Sequence, residues 1–256
     1  MICFLPLSGF LAGDGQHCSQ CIERAPRCSA CGLPMFDFFR RIAGEPGEFC
    51  SHCAAEGMAC AVCGIPTRTP ALRDGKWICS QCDRVLVTSR LDFDKMYADT
   101  VLRMEQLLGL KLQRVPSLQI VAAASIDPDR IAHGVPRQEL GGVFMRESGG
   151  ATMIDLVAPL TEPRARAILA HEIAHAWQSE NCPENQGMKV REGFAEWVSW
   201  KVIAGIPSCD RECAKILARM DEYGQGFRIF RGLEERQGVE AAIRYATAAR
   251  VALYED

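Results

Sequence analysis

A tight cysteine pair, used again and again, constrains this chain more than any other feature. Five C-x-x-C pairs fall within the first 82 residues: Cys18/Cys21, Cys28/Cys31, Cys50/Cys53, Cys60/Cys63 and Cys79/Cys82. With Cys3 they make eleven of the chain's 14 cysteines. Two thiolates two residues apart can grip one metal ion from a single turn, and this is the spacing of zinc ligands. Disulfide frameworks rarely repeat one tight pair five times. The pattern therefore points to a reducing, cytoplasmic setting in which metal holds the thiolates.

The pairs belong to an internal repeat. "CSACGLP" from Cys28 is followed by "CSHC" from Cys50, and "CAVCGIP" from Cys60 by "CSQC" from Cys79, with a period of about 30 residues. Cys28, Cys31, Cys50 and Cys53 make one four-sulfur set. Cys60, Cys63, Cys79 and Cys82 make the second. Each is the closed tetrahedral shell of a structural zinc site. Modules this small bury little core, so metal binding supplies most of their folding free energy. "CFLP" at Cys3 matches "CGLP" at Cys31 and "CGIP" at Cys63. Cys3, Cys18 and Cys21 then read as an incomplete leading module. His17 or the terminal amine is its candidate fourth donor, unless the true start lies upstream. The expectation is two or three structural zinc ions.

Charge excludes some functions. Residues 1–85 carry eight Lys or Arg and eight Asp or Glu, a difference of zero. A nucleic-acid-binding module would carry a basic excess to meet phosphates. These modules are expected to hold a protein partner or to brace the next domain. No apolar run reaches the roughly 20 residues that span a bilayer, and the apolar opening "MICFLPLSGF" has no basic residue before it, as a signal peptide would.

The remaining chain, 86–256, reads as a second domain after the modules of 1–85. Apolar spacing at Leu91, Met96, Val101, Leu102, Leu107 and Leu108 predicts a helix over 91–114, ended by Val115-Pro116. Strands are expected over 117–125, in "VFMRE" and in "TMIDLVAP", with a Pro- and Gly-rich loop containing His133 between the first two.

The chemistry concentrates in "TEPRARAILAHEIAHAWQSENC". Thr161 and Pro163 open a helix. His171 and His175, four residues apart, share one face of it, so both imidazoles can reach one zinc ion. Glu172 is placed to reach a water on that metal, the H-E-x-x-H arrangement. "MKVREGFAEWVSWKVIAG" predicts a second helix, on which Glu192 and Glu196 share a face. Packed against the first, it would point one of them at the metal. Two histidines and a glutamate leave the fourth position open to water, as a catalytic zinc requires. Trp177, Trp197 and Trp200 are expected in the core, and Cys182, Cys209 and Cys213 as plain thiols.

"HEIAHAW", followed by the Glu of "EGFAEW", resembles the gluzincin metallopeptidases. That resemblance assigns His171, His175 and Glu192 to zinc and Glu172 to the general base. A narrower likeness is to the DA-one family, plant LIM-domain peptidases activated by ubiquitylation. It rests on Ile168–Glu172, His175–Trp177, Glu192-Gly193 and "YGQGFR" from Tyr223 to Arg228. Tyr223 is thereby a candidate to hydrogen-bond the oxyanion, although "YGQGFR" also reads as a simple helix stop. The modules depart from the LIM pattern. Cys50 stands where a histidine is usual, and six residues, not two, separate Cys53 from Cys60. They are LIM-like or zinc-ribbon-like.

The expected fold is α+β: a gluzincin-like metallopeptidase domain preceded by tandem LIM-like or zinc-ribbon modules. The expected function is zinc-dependent hydrolysis of peptide bonds in a protein substrate. It would use one catalytic zinc, and the modules would bind substrate or partner. The alternative is a catalytically silent, zinc-scaffolded adaptor.

Overall fold

Two glycines with inverted backbone sign show how the cysteine repeat folds. Gly32 and Gly64 directly follow the second cysteine of their pairs and have φ of 73° and 74°. That left-handed conformation is free of penalty only for glycine. Each turns the chain so that Gly32 N–H donates to Cys28 O and Gly64 N–H to Cys60 O, while the N–H of Cys28 and Cys60 donate to Leu33 O and Ile65 O. The repeat is thus one backbone knuckle made twice.

The computed structural model describes residues 19–36, 39–41, 47–67, 71–73, 75–122, 125, 141–147 and 150–250. Its cysteine-rich part holds three short helices, α1 (Ser19–Arg24), α2 (Ser51–Glu56) and α3 (Ser80–Asp83). Three antiparallel hairpins accompany them, formed by β1 (Phe39–Arg41) with β2 (Glu48–Cys50), β3 (Met58–Ala59) with β4 (Pro66–Thr67), and β5 (Ala71–Arg73) with β6 (Lys76–Ile78). Cys50 and Cys79 sit at the N-caps of α2 and α3, their sulfurs accepting from the N–H of Cys53 and Cys82. Ile65 packs against both cysteine clusters and joins them.

The rest is mixed helix and sheet, as expected of an α+β chain. Helix α4 (Arg90–Leu108) leads to strands β7 (Ser117–Ala122), β8 (Gly142–Arg146) and β9 (Thr152–Ala158). Helices α5 (Glu162–Asn181), α6 (Met188–Ile203), α7 (Asp210–Ala218), α8 (Glu222–Gln237) and α9 (Val239–Ala248) follow. The sheet order is β7-β9-β8, with β9 parallel to β7 and antiparallel to β8.

Helix α4 is shorter than its apolar pattern predicts. It stops at Gly109, whose φ of 69° lets its N–H close on Glu105 O, so residues 110–114 lie outside the helix. Its buried stripe is Phe93, Met96, Thr100, Met104 and Leu108, whereas Leu91, Leu102 and Leu107 face solvent. Thr161 takes the N-cap position of α5, but its side chain makes no capping bond. Its backbone is extended there and bridges Leu86.

Helices α5 and α6 form the centre of the core. From Ala165 to Gln178 nearly every α5 side chain is buried. Five of those are alanines, small enough for neighbours to approach on several sides. Ser199 of α6, fully buried, donates to Ala167 O of α5 across 2.8 Å. Trp177, Phe194, Trp197 and Phe230 pack ring against ring, with neighbouring centroids 5.4–6.3 Å apart. Trp177 and Trp197 are core residues as expected, and Trp200 is partly buried against the same core.

The second cysteine cluster is bonded to this helical part. Lys215 Nζ of α7 donates to Val62 O, inside the Cys60–Cys63 knuckle, at 3.3 Å. Lys76 Nζ of β6 reaches Val157 O of β9 at 3.5 Å. Among the described residues, no helix is long and apolar enough to cross a membrane.

Candidate metal centre

Spacing on one helix and one close helix crossing build the main site. His171 and His175 lie one turn apart on α5, and their Nε2 atoms are 3.0 Å apart. Glu192 comes from the first turns of α6, and its Oε2 lies 3.2 Å from each of these nitrogens. The three donor atoms form a nearly equilateral triangle. In a tetrahedral zinc site with bonds of about 2.0–2.1 Å, donors stand about 3.3 Å apart. The triangle therefore fits one face of a zinc shell and leaves the fourth corner free.

Glycines set the crossing that brings α8 to this site. A Cβ on Gly193 would fall 2.3 Å from the backbone carbon of Gly226, and one on Gly226 would fall 2.0 Å from Lys189 O. Without side chains the backbones of α6 and α8 touch. Tyr223 thus comes to lie beside His171, the two rings nearly parallel at 22° with centroids 6.2 Å apart. "YGQGFR" is a helix start, not a stop, because Asp221 caps α8 by accepting from Gly224 N–H.

The site is buried and charged. Burial works against a charge on His171, but the Glu192 carboxylate beside it, aided by Glu172 and Glu196, pushes its pKa up to about 9. Burial likewise opposes ionisation of Glu192, and the two imidazoles overcome it, holding its carboxyl well below the usual range. Burial pushes the Tyr223 phenol up to about 12; Glu192 adds to this and Arg219 opposes it. Such a cluster of histidine and carboxylate is what a divalent cation neutralises.

Around the triangle, further groups orient the donors. His175 Nδ1 lies 2.8 Å from Gln178 Oε1, and Gln178 Nε2 donates to Arg191 O at 3.0 Å. The amide therefore turns its oxygen to His175, which places the imidazole proton on Nδ1 and leaves Nε2 free for metal. Glu196 shares the face of Glu192 but is no member of the triangle. Its Oε1 lies 3.8 Å from His171 Nδ1 and accepts from Arg219. Glu172 is buried, and its Oε2 accepts from Phe144 N–H of β8 at 2.9 Å. Sequence reasoning missed Gln178, Phe144 and Arg219.

The two cysteine sets also assemble. The sulfurs of Cys28, Cys31, Cys50 and Cys53 lie within 4.8 Å of one another, as do those of Cys60, Cys63, Cys79 and Cys82. Cys31 and Cys50 sulfurs are 4.0 Å apart, and those of Cys63 and Cys79 are 3.7 Å apart. A zinc–sulfur bond of about 2.3 Å gives sulfur separations of about 3.8 Å. Burial opposes ionisation of Cys28, yet the N–H groups of Cys50, Cys31 and Ala30 bring it down to about 6. Burial and the neighbouring sulfurs push Cys53 up to about 12. In the second set, Cys63 and Cys82 hold Cys60 below the ordinary thiol range, and Cys63 itself is pushed up to about 12. Four thiols this close cannot all ionise without a cation, so both sets fit a metal ion such as zinc.

Of the leading set, Cys3 and Cys18 lie outside the described residues, as do His17 and His133, and Cys21 sits in α1. Cys182, Cys209 and Cys213 join no metal-binding cluster among the described residues, and burial pushes all three thiols up. Compared with protein-family models, with curated proteins and with solved structures, the chain matches none of them.

Proposed function

We propose that the protein is a zinc-dependent peptidase of the gluzincin type, related to the DA-one peptidases, acting on a protein substrate in a reducing compartment. The observation that carries this reading is the His171–His175–Glu192 triangle, with the Glu172 carboxylate one residue from His171. In this reading the two cysteine sets hold structural zinc.

A zinc ion on the triangle would supply a bound water of lowered pKa and polarise a substrate carbonyl. Everything else falls to the chain. Phe144 N–H holds one oxygen of Glu172, leaving the other to take the proton of the attacking water and deliver it to the leaving amine. Tyr223, beside His171, is placed to donate to an oxyanion. Strand β8 is a sheet edge among the described residues. Phe144 turns its N–H outward from β9 and gives it to Glu172, so an extended peptide drawn along that edge would use the other outward backbone groups of β8.

The test is Glu172→Gln in the full chain against a peptide library, with zinc counted by elemental analysis. Turnover should fall by about 100-fold or more while the zinc content stays unchanged. Unchanged turnover would overturn the peptidase reading and leave an adaptor.

A further inference from the structure

Arg219 follows the end of α7 and spans the space between α6 and the start of α8. Its Nη1 donates to Glu196 Oε1 at 2.5 Å. Its Nη2 donates to Asp221 Oδ2 at 2.6 Å, and its Nε lies 3.1 Å and 3.2 Å from the two oxygens of Asp221. Its guanidinium carbon stands 4.3 Å from the centroid of the Tyr223 ring. The backbone is pinned as well, since Arg228 Nη1 donates to Arg219 O at 2.7 Å.

One planar group therefore touches two of the side chains that flank His171. Glu196 approaches the Nδ1 side of the imidazole, and Tyr223 lies parallel to its ring. Most surface arginine pairs contribute little because both partners are loose. Here Glu196 is buried, its side chain 8% exposed, and Arg219 joins it to the capping carboxylate of α8. A guanidinium can serve two carboxylates in its plane and a ring on its face at once, which a lysine ammonium cannot.

We propose that Arg219 is a positioning residue of the metal centre. It holds Glu196 beside His171 and the Tyr223 ring in register with the same imidazole. The orientation of one metal ligand and the place of the phenol are then set by a single side chain. The part that concerns turnover rests on the peptidase reading; the part that concerns the metal ligand does not.

The experiment uses the full chain with zinc kept in the cysteine sites and cobalt(II) exchanged into the histidine–glutamate site. Arg219→Lys and Arg219→Met are compared with the wild type. Both variants should bind one cobalt ion at that site and show a shifted visible absorption spectrum. Their kcat should fall about 10- to 100-fold, with KM changed by less than about threefold. Lysine should not rescue, because it keeps the charge but loses the planar fork. If Arg219→Met does not fold, the lysine variant alone decides. A wild-type spectrum in the lysine variant would overturn the proposal, even if Glu172→Gln abolishes turnover. A shifted spectrum in a chain that cleaves no peptide would uphold the positioning role and sink the peptidase reading instead.

Discussion

At His175 the proposed ligand role turns on which ring nitrogen carries the proton. Gln178 decides it, because its own amide is fixed by Arg191 O. Replacing Gln178 with leucine keeps the bulk and removes the acceptor. The metal affinity of the histidine–glutamate site should then drop by about 10- to 100-fold, measured by competition with a chelator. An unaltered affinity would show that the tautomer needs no such holder. His171, Glu172 and His175 were legible in the sequence because a helix turns four residues of spacing into one shared face. Gln178 follows the same rule, three residues beyond His175, but an amide has no charge or metal-ligand signature to draw notice. Phe144 was beyond reach. Its contribution is a backbone N–H, which every residue but proline carries, on a strand 28 positions from Glu172. The choice of Glu192 over Glu196 was equally closed to spacing alone, since both lie on one face and only the packed helices distinguish them.

At the level of elements, helix ends and crossings depend on single glycines more than on apolar periodicity. The sequence predicts α4 on to residue 114, but Gly109 adopts the left-handed conformation that ends a helix, and Leu110 and Leu112 beyond it are buried outside the helix. The crossing of α6 and α8 is set the same way. Gly193 and Gly226 stand in motifs that the sequence offers only as a family likeness, and the backbone contact between them supplies their physical reason. Gly226→Ala would force a methyl group to within 2.0 Å of Lys189 O unless the helices separate. The cost should be about 1–3 kcal/mol in a denaturant titration. Because Glu192 adjoins Gly193, the variant should also lose affinity for metal at the triangle. A variant of full stability with unaltered metal binding would mean that α8 does not need this crossing.

Across the whole molecule, the second cysteine cluster is tied to the helical part through lysines. Lys76 is 4% exposed at that junction. Burial, with Arg164 adding to it, lowers its pKa from 10.5 to about 8. Below pH 8 both folded and unfolded chains carry this proton. Between pH 8 and 10.5 the unfolded chain alone binds it, so this group makes stability rise with pH across that window. Stability curves of the wild type and Lys76→Met should therefore converge or cross as pH rises from 8 to 10.5, with the wild type gaining relative to the variant. Parallel curves would mean that the ammonium is not desolvated there. The same junction predicts unequal roles for the two cysteine sets. Val62, which accepts from Lys215, lies between Cys60 and Cys63, and β6 carries Lys76 directly to Cys79. Metal at the second set would thus fix the turn and the hairpin that contact α7 and β9. The first set meets the second through Ile65. Cys63→Ser with Cys79→Ser should lower the melting temperature of the helices, followed by far-ultraviolet circular dichroism, more than Cys31→Ser with Cys50→Ser. The repeat itself makes this comparison clean, since both pairs remove equivalent ligands from equivalent knuckles. Equal losses would place the coupling elsewhere. A larger loss at the second set would make that module a brace of the helical core, and would leave the first module free for a partner.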